Sequence, residues 1–158
     1  DGEIQKGLFH IQNALQLNPN YAKAHHVMGL FFFNAGKIDK AVRYFSRSVK
    51  LNAYDAESHN NLGVILADQG NMADALMHFE KAIEIQPNRL EAYNNLGCFW
   101  ARQGRYDDAM FYFKKALEMA PDDQNAAKYL AAAIKDKQEN RKHSEKDDSV
   151  FEKAVKEP

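Results

Sequence analysis

Residues 90–123 read LEAYNNLGCFWARQGRYDDAMFYFKKALEMAPDD, and these positions decide the fold. Tyr93, Leu96, Gly97 and Trp100 fall at i, i+3, i+4 and i+7, the spacing of one face of an α-helix. Tyr106, Ala109, Met110, Phe113, Ala116 and Leu117 trace a second helical face. Gly104 separates the two, where a turn needs a residue free to take positive φ. Asp107 is placed to help cap the second helix, and Pro121 closes the stretch because its ring cannot continue a helix. The stretch predicts a helical hairpin. Gly97 opposite Ala109 and Ala116 would let the helices approach, with Tyr93, Trp100 and Phe113 filling the space left over.

Outward from this stretch the same pattern recurs every 34 residues. Gly29, Gly63 and Gly97 stand one period apart, as do Gly2, Gly36, Gly70 and Gly104. Pro19, Pro87 and Pro121 form a third row, with Ala53 where a proline is missing. Further rows are Gly7/Ala41/Ala75/Ala109, Ile11/Phe45/Phe79/Phe113, Ala14/Ser48/Ala82/Ala116 and Phe32/Leu66/Trp100. So many coincidences at one spacing are not chance. A hairpin this thin cannot bury its apolar stripe alone, so successive hairpins must stack into an all-α solenoid.

The recurring aromatic, Leu-Gly, aromatic, Ala, aromatic, Ala and Pro resemble the tetratricopeptide repeat (TPR) family. The fullest copy is Tyr93, Leu96-Gly97, Trp100, Ala109, Phe113, Ala116, Pro121. A second runs His59, Leu62-Gly63, Leu66, Ala75, Phe79, Ala82, Pro87, and a third His25, Met28-Gly29, Phe32, Ala41, Phe45, Ser48, Ala53. The resemblance covers roughly residues 1–134. It implies an all-α, right-handed TPR α-solenoid of stacked antiparallel hairpins whose first helices line a concave groove.

On this frame residues 1–21 are the second helix of a truncated repeat, and 22–55, 56–89 and 90–123 are repeats. Residues 124–140 are a C-terminal capping helix and 141–158 a charged tail. From Lys135 to Pro158, 14 of 24 residues are charged, seven of each sign, the composition of a solvated helix or a disordered tail. Within it Ser149 and Glu152 have capping-box spacing ahead of a short apolar stripe. Val150, Phe151 and Val155 of that stripe are expected to dock on an apolar groove, more readily of a neighbouring copy than of their own chain.

Composition narrows the function. The chain has 158 residues, 45% apolar and 27% charged, which is globular. With 21 Lys plus Arg against 22 Asp plus Glu it lacks the basic footprint of a phosphate-binding protein, so no nucleic-acid partner is expected. Its longest apolar run, Val27–Phe33, is far short of the roughly 20 residues of a membrane span, so no direct membrane insertion is expected. One cysteine, Cys98, excludes an internal disulfide framework. His25 and His59 occupy one row, and packed helices about 10 Å apart keep two such rings from sharing a Zn²⁺ with bonds of about 2 Å. No metal, cofactor or enzymatic activity is expected: phosphate loops, dinucleotide fingerprints and nucleophile–base motifs are absent.

The resemblance leaves the concave groove as the place of function, serving a non-catalytic interaction scaffold for a protein or peptide partner. Its exposed side should carry Lys23, His26, Val27, Leu30, Phe33 and Asn34 in the first full repeat. The second should contribute Glu57, Asn60, Asn61, Val64 and Asp68, and the third Glu91, Asn94, Asn95, Cys98 and Arg102. Asn61 and Asn95 stand one period apart, and an asparagine can donate and accept at once, pairing with both backbone groups of an extended peptide. The TPR arms of O-linked N-acetylglucosamine transferases hold peptides on such a ladder, so a substrate-recruiting arm of a larger enzyme is an alternative. A self-assembling module, joined through the open N-terminal end or the tail, is another. The carboxylate clamp of TPR co-chaperones is not expected. Where that family sets Lys, Asn, Asn, Lys and Arg, this chain aligns His26, Leu30, Asn61, Glu91 and Asn95.

Overall fold

In the computed structural model residues 2–156 are described, with side chains described for residues 6–141. Among the described residues there are eight helices and no strand: α1 (Gly2–Leu17), α2 (Ala22–Asn34), α3 (Ile38–Leu51), α4 (Ala56–Asp68), α5 (Met72–Ile85), α6 (Leu90–Arg102), α7 (Tyr106–Met119) and α8 (Gln124–Lys156). Gly36, Gly70 and Gly104 turn the chain between paired helices at φ of 69°, 81° and 71°. That left-handed region costs any other L-residue about 1–2 kcal/mol.

Two compact units divide the chain, Asp1–Ala92 and Tyr93–Pro158. In the first unit α2 pairs with α3 and α4 with α5, while α3 lies against α4 and α1 against α2. Ala41, Phe45, Leu62 and Ile65 form a buried cluster, flanked by half-buried residues including Leu30, Phe33 and Leu66. In the second unit α7 packs on α8, and Ala109, Phe113 and Ala133 are buried with Trp100, Met110 and Leu130 around them.

The row Gly29/Gly63/Gly97 fits against the row Phe45/Phe79/Phe113, rather than against alanines as the spacing predicts. A Cβ on Gly63 would lie 2.7 Å from Phe79 Cδ1, and one on Gly29 would lie 2.5 Å from Phe45 Cδ1. The glycines are bare because a phenyl ring occupies the space a Cβ would take. Trp100 is only half-buried, with Arg105 stacked 4.0 Å from its ring centroid, so it closes the surface of the cluster rather than filling its interior.

Caps depart from expectation in one place. Asp107 does not cap α7, whose N-cap is Arg105 without a side-chain bond. Asp107 instead pairs with Lys137 of α8, and Arg105 with Asp108 at 2.6 Å. The side-chain caps fall two periods apart in another row: Asp55 Oδ1 accepts from Ser58 N at 3.1 Å, and Asp123 Oδ1 from Ala126 N at 2.6 Å. α8 also runs unbroken through residue 140, so no helix boundary divides the capping helix from the tail. Between Gln124 and Lys156 there is no glycine or proline to stop it. The side chains of Val150, Phe151 and Val155 lie outside the described residues.

Candidate functional site

α2 and α4 carry the predicted groove residues of the first unit. Lys23, Asn34 and Asp68 are exposed at its margins, while Val27, Leu30, Phe33, Asn61 and Val64 are half-buried. Glu91 is exposed just past Arg89. In the second unit Asn94, Asn95 and Cys98 are half-buried and Arg102 is exposed.

Two predicted groove residues are not surface groups. His26 is 1% exposed and Asn60 5%. Row position gives the face of a helix on which a residue sits, not how closely the next repeat covers it. His26 is covered because its ring joins a polar chain between repeats. Its Nδ1 lies 2.8 Å from Ser58 Oγ, which donates to Asp55 Oδ2 at 2.5 Å. Ser48, in the small-residue row, also reaches Asp55 Oδ2 at 2.8 Å and the Ala22 carbonyl at 2.9 Å. The Ser58 hydroxyl thus accepts from His26 Nδ1–H and gives its own proton to the carboxylate. The hydroxyl is fully buried, out of reach of solvent.

The electrostatics follow from this wiring. Burial pushes His26 below its ordinary value, outweighing the pull of Asp55 and Glu57 toward the charged form. Burial alone would raise Asp55, but hydrogen bonds from Ser58 and Ser48 hold it below the usual carboxylate value. His26 Nε2 lies 3.4 Å from Glu57 Oε2, and Arg89 approaches Glu57 at 3.8 Å and Glu91 at 3.9 Å. The base of the predicted groove in this unit is a set of positioned charges around a neutral imidazole. Burial also raises the Cys98 thiol, so it is protonated and unreactive at neutral pH.

Some donors and acceptors of the predicted groove are unspent. Asn61 Nδ2 in the first unit and Asn94 Oδ1 in the second are buried without a hydrogen-bond partner, as is Nε1 of Trp100, which lies outside the groove set. One pairing was not anticipated from sequence. His59 Nδ1 lies 2.8 Å from His78 Nδ1, joining α4 to α5. The signal was present in the row 44/78/112, which holds Tyr44, His78 and Tyr112, but no motif draws attention to it. Among the described residues no three metal-ligating groups converge, and no helix is long and apolar enough to cross a membrane.

Paired helices, a positive-φ glycine in each intra-hairpin turn and Gly–Phe contacts at one period define a helical-hairpin repeat protein. The tetratricopeptide repeat profile matches residues 22–55 and 54–122, and the chain belongs to that family. Solved structures agree in fold. A crystal structure of MamA protein superposes at a TM-score of 0.74, with 20% identity over 99% of this chain and 88% of that one. The TPR domain of OM64 from Arabidopsis superposes at 0.67, with 22% identity over 72% and 94%. The first TPR of Spaghetti (RPAP3), bound to the HSP90 peptide SRMEEVD, superposes at 0.68, with 18% identity over 72% and 90%. The fold class is the all-α TPR solenoid. No curated protein matches the chain by sequence.

Proposed function

We propose that the chain is a non-catalytic interaction scaffold that holds an extended or helical segment of a partner protein on the groove faces of its repeats. The observation that carries this reading is the division of labour between rows. The Gly, Phe and small-residue rows are consumed by packing, whereas the groove row of α2 and α4 keeps Val27, Leu30, Phe33, Asn61 and Val64 only half-buried. Such a surface suits apolar anchors with a few polar groups fixing register. The similarity to a TPR domain seen with a bound peptide supports a peptide as the ligand class.

The partner need not end in an acidic carboxylate. His26 is buried and hydrogen-bonded, and Leu30 and Glu91 cannot ligate a carboxylate, so a peptide such as SRMEEVD would lose most of its polar contacts here. The test is selection of peptides from a random displayed library on the purified chain, followed by titration of the winners against variants. Asn61→Ala and Val64→Asp should weaken the selected peptides at least several-fold without lowering the melting temperature much. Equal affinity for wild type and both variants would refute the groove assignment.

A further inference from the structure

Each hairpin pairs one ring from its first helix with one from its second, at positions a period apart. The centroid separations are 5.8 Å for His25–Tyr44, 5.0 Å for His59–His78 and 6.4 Å for Tyr93–Tyr112. The first and third pairs include at least one tyrosine, so ring packing is the shared role. Only the middle pair consists of two imidazoles, and they are hydrogen-bonded Nδ1 to Nδ1 at 2.8 Å.

A backbone contact at corresponding positions of two repeats points to how the protons are arranged. His25 Nε2 lies 2.8 Å from the Pro19 carbonyl, and the backbone of Ala53, one period on from Pro19, hydrogen-bonds the His59 ring. The assignment that satisfies every contact has His59 Nε2–H donating to the Ala53 carbonyl. Its bare Nδ1 then accepts from His78 Nδ1–H. Both rings are neutral in that arrangement. His78 Nε2 could take a proton without breaking this bond, a charge that burial opposes, whereas a proton added to His59 Nδ1 would set two N–H groups against each other across 2.8 Å.

We propose that the His59–His78 pair is an acid-sensitive joint, fastening α4 to α5 while both rings are neutral and loosening as the pH falls below the ordinary histidine range. Charged groups face the pair from both helices. Asp55 at the start of α4 and Asp74 on α5 favour the charged rings, and Lys81 on α5 opposes them. Asp74 is engaged by Asn71 at 2.7 Å and Lys81 by Glu84 at 2.8 Å, so neither is free to swing onto an imidazole. Burial, joined at His78 by the neighbouring His59, pushes both rings below the ordinary value. Protons can reach the joint: an open cavity of about 560 Å³, lined by His59, Met77, Lys81 and the carboxylates Glu80 and Glu84, adjoins it.

The sign follows from linkage. The folded pair resists protons that the unfolded chain accepts near pH 6.5, so the stabilisation is complete above about pH 6.5 and is lost as the pH falls below it. Each proton excluded from the folded state raises the unfolding constant by up to about 30-fold between pH 7.5 and pH 5.0.

The test is urea unfolding at those two pH values for three proteins. These are the wild type, His78→Tyr (the ring pair of the first hairpin) and the double variant His59→Tyr/His78→Tyr (the pair of the third). His26 is retained in all three, so its own titration cancels in the comparison. The wild-type unfolding constant should rise on acidification about 10- to 30-fold more than that of the double variant, with His78→Tyr between them. Should the double variant fail to fold, His78→Tyr alone decides, together with the imidazole NMR titration of the wild type. An equal rise in the wild type and the variants, or two imidazoles titrating independently near 6.5 in the folded protein, would overturn the proposal.

Discussion

Single residues here divide sharply by row. Phe79 is buried on Gly63, so Phe79→Ala should cost about 3–5 kcal/mol in urea denaturation. Gly63→Ala forces a methyl into the same ring and should cost about 1–3 kcal/mol. Asn61→Ala, on the groove face, should change stability far less. Asp55 differs from the other residues in its row because one carboxylate serves as helix cap and as acceptor for two buried hydroxyls. Asp55→Ala should cost about 1–3 kcal/mol or more, since Ser48, Ser58 and His26 lose their common partner. Its lowered folded value also has a pH signature. The stabilisation is present above the ordinary carboxyl value near 3.8 and is lost as pH falls through the lower folded value. Asp55→Asn should flatten that acid limb of a stability–pH curve, and an unchanged limb would show that the carboxylate is not held by these bonds.

The elements were largely legible in the sequence, because two helical periodicities separated by a turn glycine leave little choice. Gly36, Gly70 and Gly104 mark the turns, and the helix boundaries follow the rows within a residue or two. What was misread were signals that local pattern does not settle. Ser149 and Glu152 have the spacing of a helix start, yet a capping pair inside a continuing helix stops nothing, and α8 passes through it. Asp107 looks like a cap by position, but the neighbouring Lys137 on α8 offers it a cation. The docking of α8 on α7 gives a direct check. Ala133 is buried beside Phe113 and Ala132 is exposed. Ala133→Asp should therefore lower the melting temperature of residues 93–158, measured within the full chain, whereas Ala132→Asp should leave it nearly unchanged. A carboxylate in that cluster has no partner and costs several times what it would cost on the surface.

At the scale of the whole molecule the family was readable and the ligand was not, for a physical reason. The rows that define the repeat are those that packing consumes, and they say nothing about what the remaining faces meet. Even within the groove set the sequence could not separate Asn61, which stays half-buried, from His26 and Asn60, which burial removes from the surface. That difference depends on contacts between residues 32 apart, as between His26 and Ser58, and appears only once the helices are packed. The most direct measurement is a ¹H–¹⁵N chemical-shift map of the chain with a peptide selected on it. The groove reading predicts shifts concentrated at Val27, Leu30, Asn61 and Val64 of the first unit, and none at Met77 or Arg43 on the second helices of the same hairpins. Shifts confined to those second-helix positions, with the α2 and α4 groove row silent, would contradict it.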